Sequence, residues 1–257
     1  MRKLIGALAA GLCMLCFQAS AQENWGGGVD DEVLHFGFSF QYINAEYKVL
    51  KKADWRTPFY DPSRPLNVRP NQLPTEERVL DDSLYSVSSE GKPGFGIGFV
   101  SDLRLGNHLN LRLTPTLVFS DRSMNYEYPT DGRTIVNKKV EATVIEMPLA
   151  FKLKSDRRQN FRAYLLAGGK YSMNIVSKKK LDDESATDFN KFLKNKKSYF
   201  SYEAGIGFDL YFEYFKMSPE IKFSQSLGDV LYRRNEPYST PIDKLFLRSI
   251  QFSLFFE

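Results

Sequence analysis

From Leu34 to Tyr42 the chain reads LHFGFSFQY, with Leu, Phe or Tyr at every even position and His, Gly, Ser or Gln at every odd one. A period of two belongs to a strand with two unlike faces, because successive side chains point to opposite sides of a sheet. The bulky face can be the core side of a soluble sheet or the lipid side of a barrel, and one strand does not separate the two.

The pattern recurs in eight segments. After residues 33–43, the segment 94–105 opposes Phe95, Ile97, Phe99, Leu103 and Leu105 to Gly94, Gly96, Gly98, Asp102 and Arg104, and Gly106-Asn107 turns the chain. Residues 108–120 set Leu109, Leu111, Leu113, Leu117 and Phe119 against Asn110, Arg112, Thr114 and Thr116. In 140–154, Ile145, Met147, Leu149, Phe151 and Leu153 face away from Glu146, Pro148, Ala150 and Lys152; in 160–176, Phe161, Ala163, Leu165, Ala167, Tyr171 and Met173 oppose Arg162, Tyr164, Gly168, Lys170 and Ser172. Residues 199–212 alternate Phe200, Tyr202, Ala204, Ile206, Phe208 and Leu210 with Ser201, Glu203, Gly205, Gly207 and Asp209. Segment 215–226 sets Phe215, Met217, Ile221 and Phe223 against Lys216, Ser218, Glu220 and Lys222, and segment 245–256 turns Ile250, Phe252, Leu254 and Phe256 to one side. Pro148 and Pro219 predict a bulge or local break, since proline donates nothing to a ladder.

Connections between these segments alternate strictly in length: about 50, 20, 20 and 18 residues for the odd ones, tight turns for the even ones. Outer-membrane barrels sort their loops this way, with short turns on the periplasmic side and long loops outside. The small, polar face collects Asp102, Arg104, Arg112, Glu146, Lys152, Arg162, Lys170, Glu203, Asp209, Lys216, Glu220 and Lys222. No apolar core accepts so many charges, whereas a narrow lumen pairs them internally. The pattern therefore predicts an all-β, eight-stranded antiparallel up-and-down transmembrane barrel with a side-chain-filled lumen. Its lipid-facing wall comprises Phe36, Phe38, Phe40, Phe95, Ile97, Phe99, Leu111, Leu113, Leu149, Phe151, Leu165, Ile206, Phe208, Ile221, Phe223, Phe252 and Leu254. Aromatic girdles are expected at both ends: Phe212, Tyr214, Phe215, Phe255 and Phe256 by the short turns, and Tyr42, Phe119, Tyr126, Tyr171, Tyr199 and Phe200 by the long loops.

The N-terminus changes the picture in one respect. Arg2 and Lys3, an apolar run over residues 4–17 and the small-x-small site Ala19-Ser20-Ala21 form a signal peptide, cleaved after Ala21. A short periplasmic segment, 22–32, then leads into the barrel domain 33–257, whose long extracellular loops span 44–93, 121–139, 177–198 and 227–244. Beyond the leader no apolar run is long enough for a membrane helix, so strands must do the crossing. Both cysteines, Cys13 and Cys16, lie in the leader, so the mature chain has no thiol for disulfides, metal or nucleophilic catalysis.

Charge and chemistry add exclusions. Of 35 Lys+Arg and 31 Asp+Glu residues, the leader removes Arg2 and Lys3, which leaves a net charge of +2, too small to suggest nucleic acid. The glycine-rich runs GFGIGF, AGGKY and GIGFD lie within strands and open no helix, so they read as space makers in the lumen rather than phosphate loops. His35 and His108 are the only histidines, and both fall at the short-turn end, away from where a lipid-modifying site would be built. No catalytic residue, metal site, cofactor or small-molecule substrate is expected. The first loop holds Pro58, Pro62, Pro65, Pro70 and Pro74, the tract ADWRTPFYDPSRP and the acidic pairs Glu76-Glu77 and Asp81-Asp82. It reads either as an extended partner-binding segment or as a disordered surface loop.

The runs PGFGIGFVSDLRLGNHLNLRLTPTLVFSDRSMNYEY, VEATVIEMPLAFKLKSDR, RAYLLAGGKYS and EAGIGFDLYFEYFKMSPEIKFSQSLGDVLY resemble the outer-membrane β-barrel family of Bacteroidota. Within it, KMSPEIKFSQSLGDVL and the proline-bearing first loop are similar to the PorT/SprT group of the type IX secretion system, in relatives also tied to gliding motility. The resemblance covers nearly the whole mature chain and implies residence in the outer membrane. It implies a non-enzymatic accessory or assembly role in export of sorting-signal-bearing proteins, with outer-membrane lipid and other type IX components as partners. A generic small barrel with a structural, adhesive or passive pore role is the alternative.

Overall fold

The computed structural model of the protein describes residues 32–59, 79–129, 133–175, 190 and 193–257. The expected signal peptide, all but the last residue of the segment 22–32, and Pro62, Pro65, Pro70, Pro74, Glu76 and Glu77 lie outside the described residues.

The described chain is built from antiparallel strands: β1 (Leu34–Lys51), β2 (Ser86–Glu90), β3 (Lys92–Arg104), β4 (Leu109–Leu113), β5 (Thr116–Ser120), β6 (Arg122–Tyr128), β7 (Thr134–Val140), β8 (Thr143–Lys154), β9 (Phe161–Asn174), β10 (Ser198–Tyr211), β11 (Lys216–Ser226) and β12 (Ile242–Phe256). The only described helix is a single 3-10 turn at Val79–Asp81. The larger sheet closes on itself, because β1 pairs with β12 on one side and β3 on the other. β4 and β5 both lie between β3 and β8 and are two halves of one stave, so the ring has eight staves. Closure removes the exposed edges that an open sheet would present in lipid. The tight turns after β3, β8 and β10 lie at one end together with both ends of the ring's chain, as Phe38 pairs with Phe256.

The expected proline breaks take a different form. β8 runs unbroken through Pro148, and the interruption falls on the neighbouring stave at Thr114 and Pro115. The register is the same on both sides of the gap, with Arg112 opposite Ala150 and Thr116 opposite Glu146, so Thr114 and Pro115 face Pro148 and Met147. Two prolines on adjacent staves remove donors from the same stretch of ladder, and the carbonyls make the remaining contacts: Thr114 N donates to Pro148 O at 3.2 Å and Phe99 N to Pro115 O at 3.0 Å. At Pro219 the ladder to β10 passes from Gly207↔Glu220 to Leu210↔Met217 without a change of register, a local break and not a bulge.

The long-loop end departs from the sequence reading. Segment 44–93 is not all loop, since β1 continues to Lys51, β2 occupies Ser86–Glu90 and β3 begins at Lys92; segment 121–139 is largely the hairpin β6–β7. β2, β6 and β7 form a separate three-stranded sheet beyond the ring. Its physical basis is an apolar core: Met124, Tyr126 and Tyr128 of β6 and Val136 and Val140 of β7 pack with Tyr47, Leu80, Leu193, Leu231, Tyr238, Ile242 and Leu245. RSMNYEY and TIVNKKV alternate like the other staves, and a shorter, more polar alternation is still a strand when its inner face is buried. Trp55 packs against this core with Lys51 over its ring at 4.2 Å, so the aromatic of the first loop is not left standing free.

Along the inner face the chemistry grades from ionic to apolar. On β1 the inward series runs His35, Gly37, Ser39, Gln41, then Ile43, Ala45 and Tyr47. A thin apolar layer of Ile43, Ala45, Val118, Ala142 and Val144 separates the charged half of the lumen from the core at the long-loop end.

Candidate functional site

The inner face of the short-turn half places most of the predicted charges in one network. Asp102 and Arg112 are direct cross-strand partners on β3 and β4. Arg112 donates to Asp102 Oδ2 from Nε at 3.0 Å and from Nη2 at 2.7 Å, and Asn110 Nδ2 caps Asp102 Oδ1 at 2.7 Å. The same guanidinium reaches Glu257 Oε1 at 2.8 Å and Glu220 Oε2 at 3.4 Å, across the lumen from its own stave, and lies over the ring of Phe255 at 4.8 Å. Around this hub Lys152 meets Asp209 at 2.8 Å and Asp102 at 3.9 Å, Lys216 meets Glu257 at 2.7 Å, and Ser218 donates to Asp209 at 2.7 Å. Nearer mid-barrel, Lys170 pairs with Glu146 at 2.9 Å, and Lys222 lies 3.5 Å from Glu220 and 3.7 Å from Glu203. Isolated ions buried in this way would cost several kcal/mol each, so the pairing is a condition of filling the lumen with charge.

Glycine makes the cross-lumen reach possible. Tyr164 on β9, Gly207 on β10 and Glu220 on β11 share one row. A Cβ at Gly207 would overlap the Tyr164 ring, so the missing side chain lets the tyrosine lie across β10 and donate its hydroxyl to Glu220 at 2.8 Å. Gly205 does the same for Lys222, whose Cγ would sit 2.7 Å from an added Cβ.

Of the predicted lumen residues, Asp102, Arg112, Glu146, Lys152, Lys170, Glu203, Asp209, Lys216, Glu220 and Lys222 are buried in this network. Arg104 and Arg162 lie instead at the short-turn mouth and are only partly buried. Sequence reasoning missed Glu257, whose side chain is fully buried and whose backbone pairs with Lys216. The parity of β12, with Ser253 and Phe255 inward, reaches it two residues further on, just past the strand's end. The same parity corrects the girdle. Phe255 is buried inside, against Arg112, and Tyr126 and Tyr199 belong to the apolar core at the long-loop end, where alternation points them inward.

The outer wall is apolar. Phe36, Phe38, Phe40, Phe95, Ile97, Phe99, Leu113, Leu149, Phe151, Leu165, Ile206, Phe208, Ile221, Phe223 and Phe252 are exposed, while Leu111 and Leu254 are half-buried. In water such a belt would be an aggregation surface; in a bilayer it is the required solvent match. The two histidines do not meet. His35 points into the lumen, and His108 stands in the β3–β4 turn with Nδ1 3.2 Å from Lys154 O. Among the described residues no group of three His, Cys, Asp or Glu side chains has metal-binding geometry.

Comparison with family models agrees with this architecture. The family described as "Outer membrane protein beta-barrel domain" matches residues 33–232. Similar solved structures include neisserial surface protein A, at 7% identity and TM-score 0.39 over 87% of this chain and 98% of that one. Another is Ail, the attachment invasion locus protein of Yersinia pestis, at 8% identity and TM-score 0.33 over 88% and 98%. No curated protein matches the sequence. With a closed eight-stave ring, an apolar wall and a family match over most of its length, the chain belongs to the outer-membrane β-barrel domain family and resides in the outer membrane.

Proposed function

We propose that the protein is a non-enzymatic accessory or assembly component of the type IX secretion system, acting through its surfaces beside a larger translocon and not as a conduit. The observation that carries this reading is the filled interior. The ionic network centred on Arg112 occupies the short-turn half, and an apolar core that includes Tyr126, Tyr238 and Leu245 occupies the other end. A lumen so filled passes neither folded nor extended cargo, which leaves the lipid-facing wall, the sheet β2-β6-β7 and the turns as the places where partners can be met. The resemblance of KMSPEIKFSQSLGDVL and of the long first loop to the PorT/SprT group supports the secretion assignment. The partners are outer-membrane lipid and other secretion components.

Deleting the gene tests the role: loss of surface display of sorting-signal cargo, restored by the intact gene, supports it, and normal display refutes it. The second reading is a structural or adhesive barrel, favoured by the ordered long-loop end, where Ile135 of β7 and the flanking Tyr85 and Tyr232 are exposed. For that reading, binding of whole cells to a surface ligand would fall when these three side chains are replaced by serine, with secretion unchanged.

A further inference from the structure

We infer that the outer wall over β3, β1 and β12 holds a phosphorylated lipid of the outer leaflet, with an acyl chain in an apolar groove and the phosphate on Arg248 and Lys48. The groove is a cavity of about 280 Å³ lined by Phe40 and Tyr42 of β1, Phe95 and Ile97 of β3, and Phe252 and Leu254 of β12. These side chains belong to the outward series of their strands, so the groove is a hollow in the lipid-facing belt and opens to the bilayer. Along β1 and β12 toward the long loops, the outward face changes from apolar to charged within four residues. Tyr42 pairs with Phe252, Asn44 with Ile250, Glu46 with Arg248 and Lys48 with Phe246. Glu46 and Arg248 therefore stand about 13 Å beyond the groove along the strand, where the belt gives way to headgroups and Tyr42 marks the boundary.

The charged rim suits an anion. Arg248 Nη2 lies 3.3 Å from Glu46 Oε1, while its Nε is buried without a hydrogen-bond partner, so the pair with Glu46 does not saturate the guanidinium. Lys48 is exposed and is the diagonal neighbour of Arg248 across the ladder, about 7–8 Å away. Lys244, further along the outward series of β12, is exposed as well. The carboxylates of this face among the described residues are Glu46 and the exposed Asp243, and on the neighbouring β2 Glu90 is matched by Lys92 at 3.3 Å. On the β11 side Arg248 faces the neutral amide of Gln225. A guanidinium fork and an ammonium within reach of one another are the groups that hold a phosphate between them. A soluble phosphate would leave the groove below unfilled, whereas a lipid engages rim and groove together, continuing the contact that the belt already makes with the bilayer. The inference needs only the barrel's place in the outer membrane and holds whatever its role in secretion.

The experiment is native mass spectrometry of the full mature chain in uncharged detergent, titrated with diphosphorylated lipid A and with the same lipid stripped of its phosphates. The expected result is retention of the phosphorylated lipid, with the stripped form bound about tenfold more weakly. In Arg248→Gln/Lys48→Gln that preference disappears, and in Phe252→Ala both forms bind more weakly. In Arg158→Gln, which removes an exposed cation at the short-turn end, binding is unchanged. Equal retention of the two forms by the parent, or a preference that survives in the double variant, overturns the phosphate site. Displacement of the lipid by inorganic phosphate at matching concentration, or full affinity in Phe252→Ala, overturns the lipid as its ligand. Folding of the variants is checked by the heat-dependent gel mobility of the barrel, and Lys48→Gln alone, an exposed substitution, carries the test where the double variant does not fold.

Discussion

Replacing Arg112 by methionine removes the charge that ties three staves together while keeping much of its bulk against Phe255. Its guanidinium serves Asp102, Glu257 and Glu220, but the three losses are unequal. Glu257 keeps Lys216 at 2.7 Å and Glu220 keeps Lys222 at 3.5 Å together with the Tyr164 hydroxyl. Asp102 keeps Asn110 and a lysine at 3.9 Å, with Lys216 acting from further off. Removing one partner of a buried ion pair costs roughly 3–5 kcal/mol, and with two of the three carboxylates still paired the lower end applies, about 3 kcal/mol. Against a total stability of about 5–15 kcal/mol that is a large fraction. The assay is equilibrium urea unfolding in lipid vesicles, followed by far-UV circular dichroism and by the mobility shift of the folded barrel. Adding Asp102→Asn to Arg112→Met should recover at least about 1 kcal/mol, because it removes the carboxylate left worst served. An Arg112→Met protein within about 0.5 kcal/mol of the parent, or a double variant no more stable than the single, would refute the hub.

Other consequences are open to the same methods. Gly207→Ala should displace the Tyr164 ring from Glu220 and destabilise the barrel by about 1–3 kcal/mol, the usual range for overpacking; an unchanged unfolding curve would mean that the ring does not fill that space. Tyr126→Ala opens a cavity in the apolar core and removes the hydrogen bond that its hydroxyl donates to Tyr238 O at 2.6 Å. Limited proteolysis should then cut within β6–β7 while the barrel keeps its folded gel mobility. Burial pushes the Lys138 ammonium, in the sheet beyond the ring, down to about 8. The unfolded segment therefore binds more protons than the folded one between about pH 8 and the ordinary lysine value near 10.4, so resistance of this sheet to proteolysis should rise with pH across that window. Lys138→Met should flatten that rise.

The staves and their faces were readable because lipid and lumen impose opposite demands at every second residue, and Phe36, Phe38 and Phe40 against Ser39 and Gln41 show that demand without ambiguity. Parity assigns a face but not what the face meets. Tyr126, Tyr199 and Phe255 alternate correctly, yet only the fold shows that their inward side is an apolar core or a guanidinium and not an interface girdle. The sheet β2-β6-β7 is not legible as strands in the sequence because its strands gain their buried face from residues far away along the chain, such as Leu231 and Tyr238. Glu257 escaped because its role depends on Arg112, 145 positions earlier, a distance that no local pattern spans.

The claim on which the rest depends is that side chains fill the barrel from end to end. Planar-bilayer recording of the purified protein tests it directly. A protein that inserts, as shown by its folded mobility in the recovered membrane, and gives no steady ohmic conductance is the predicted result. Stable unitary steps from the parent protein, unaffected by Arg112→Met or by Tyr126→Ala, would contradict it.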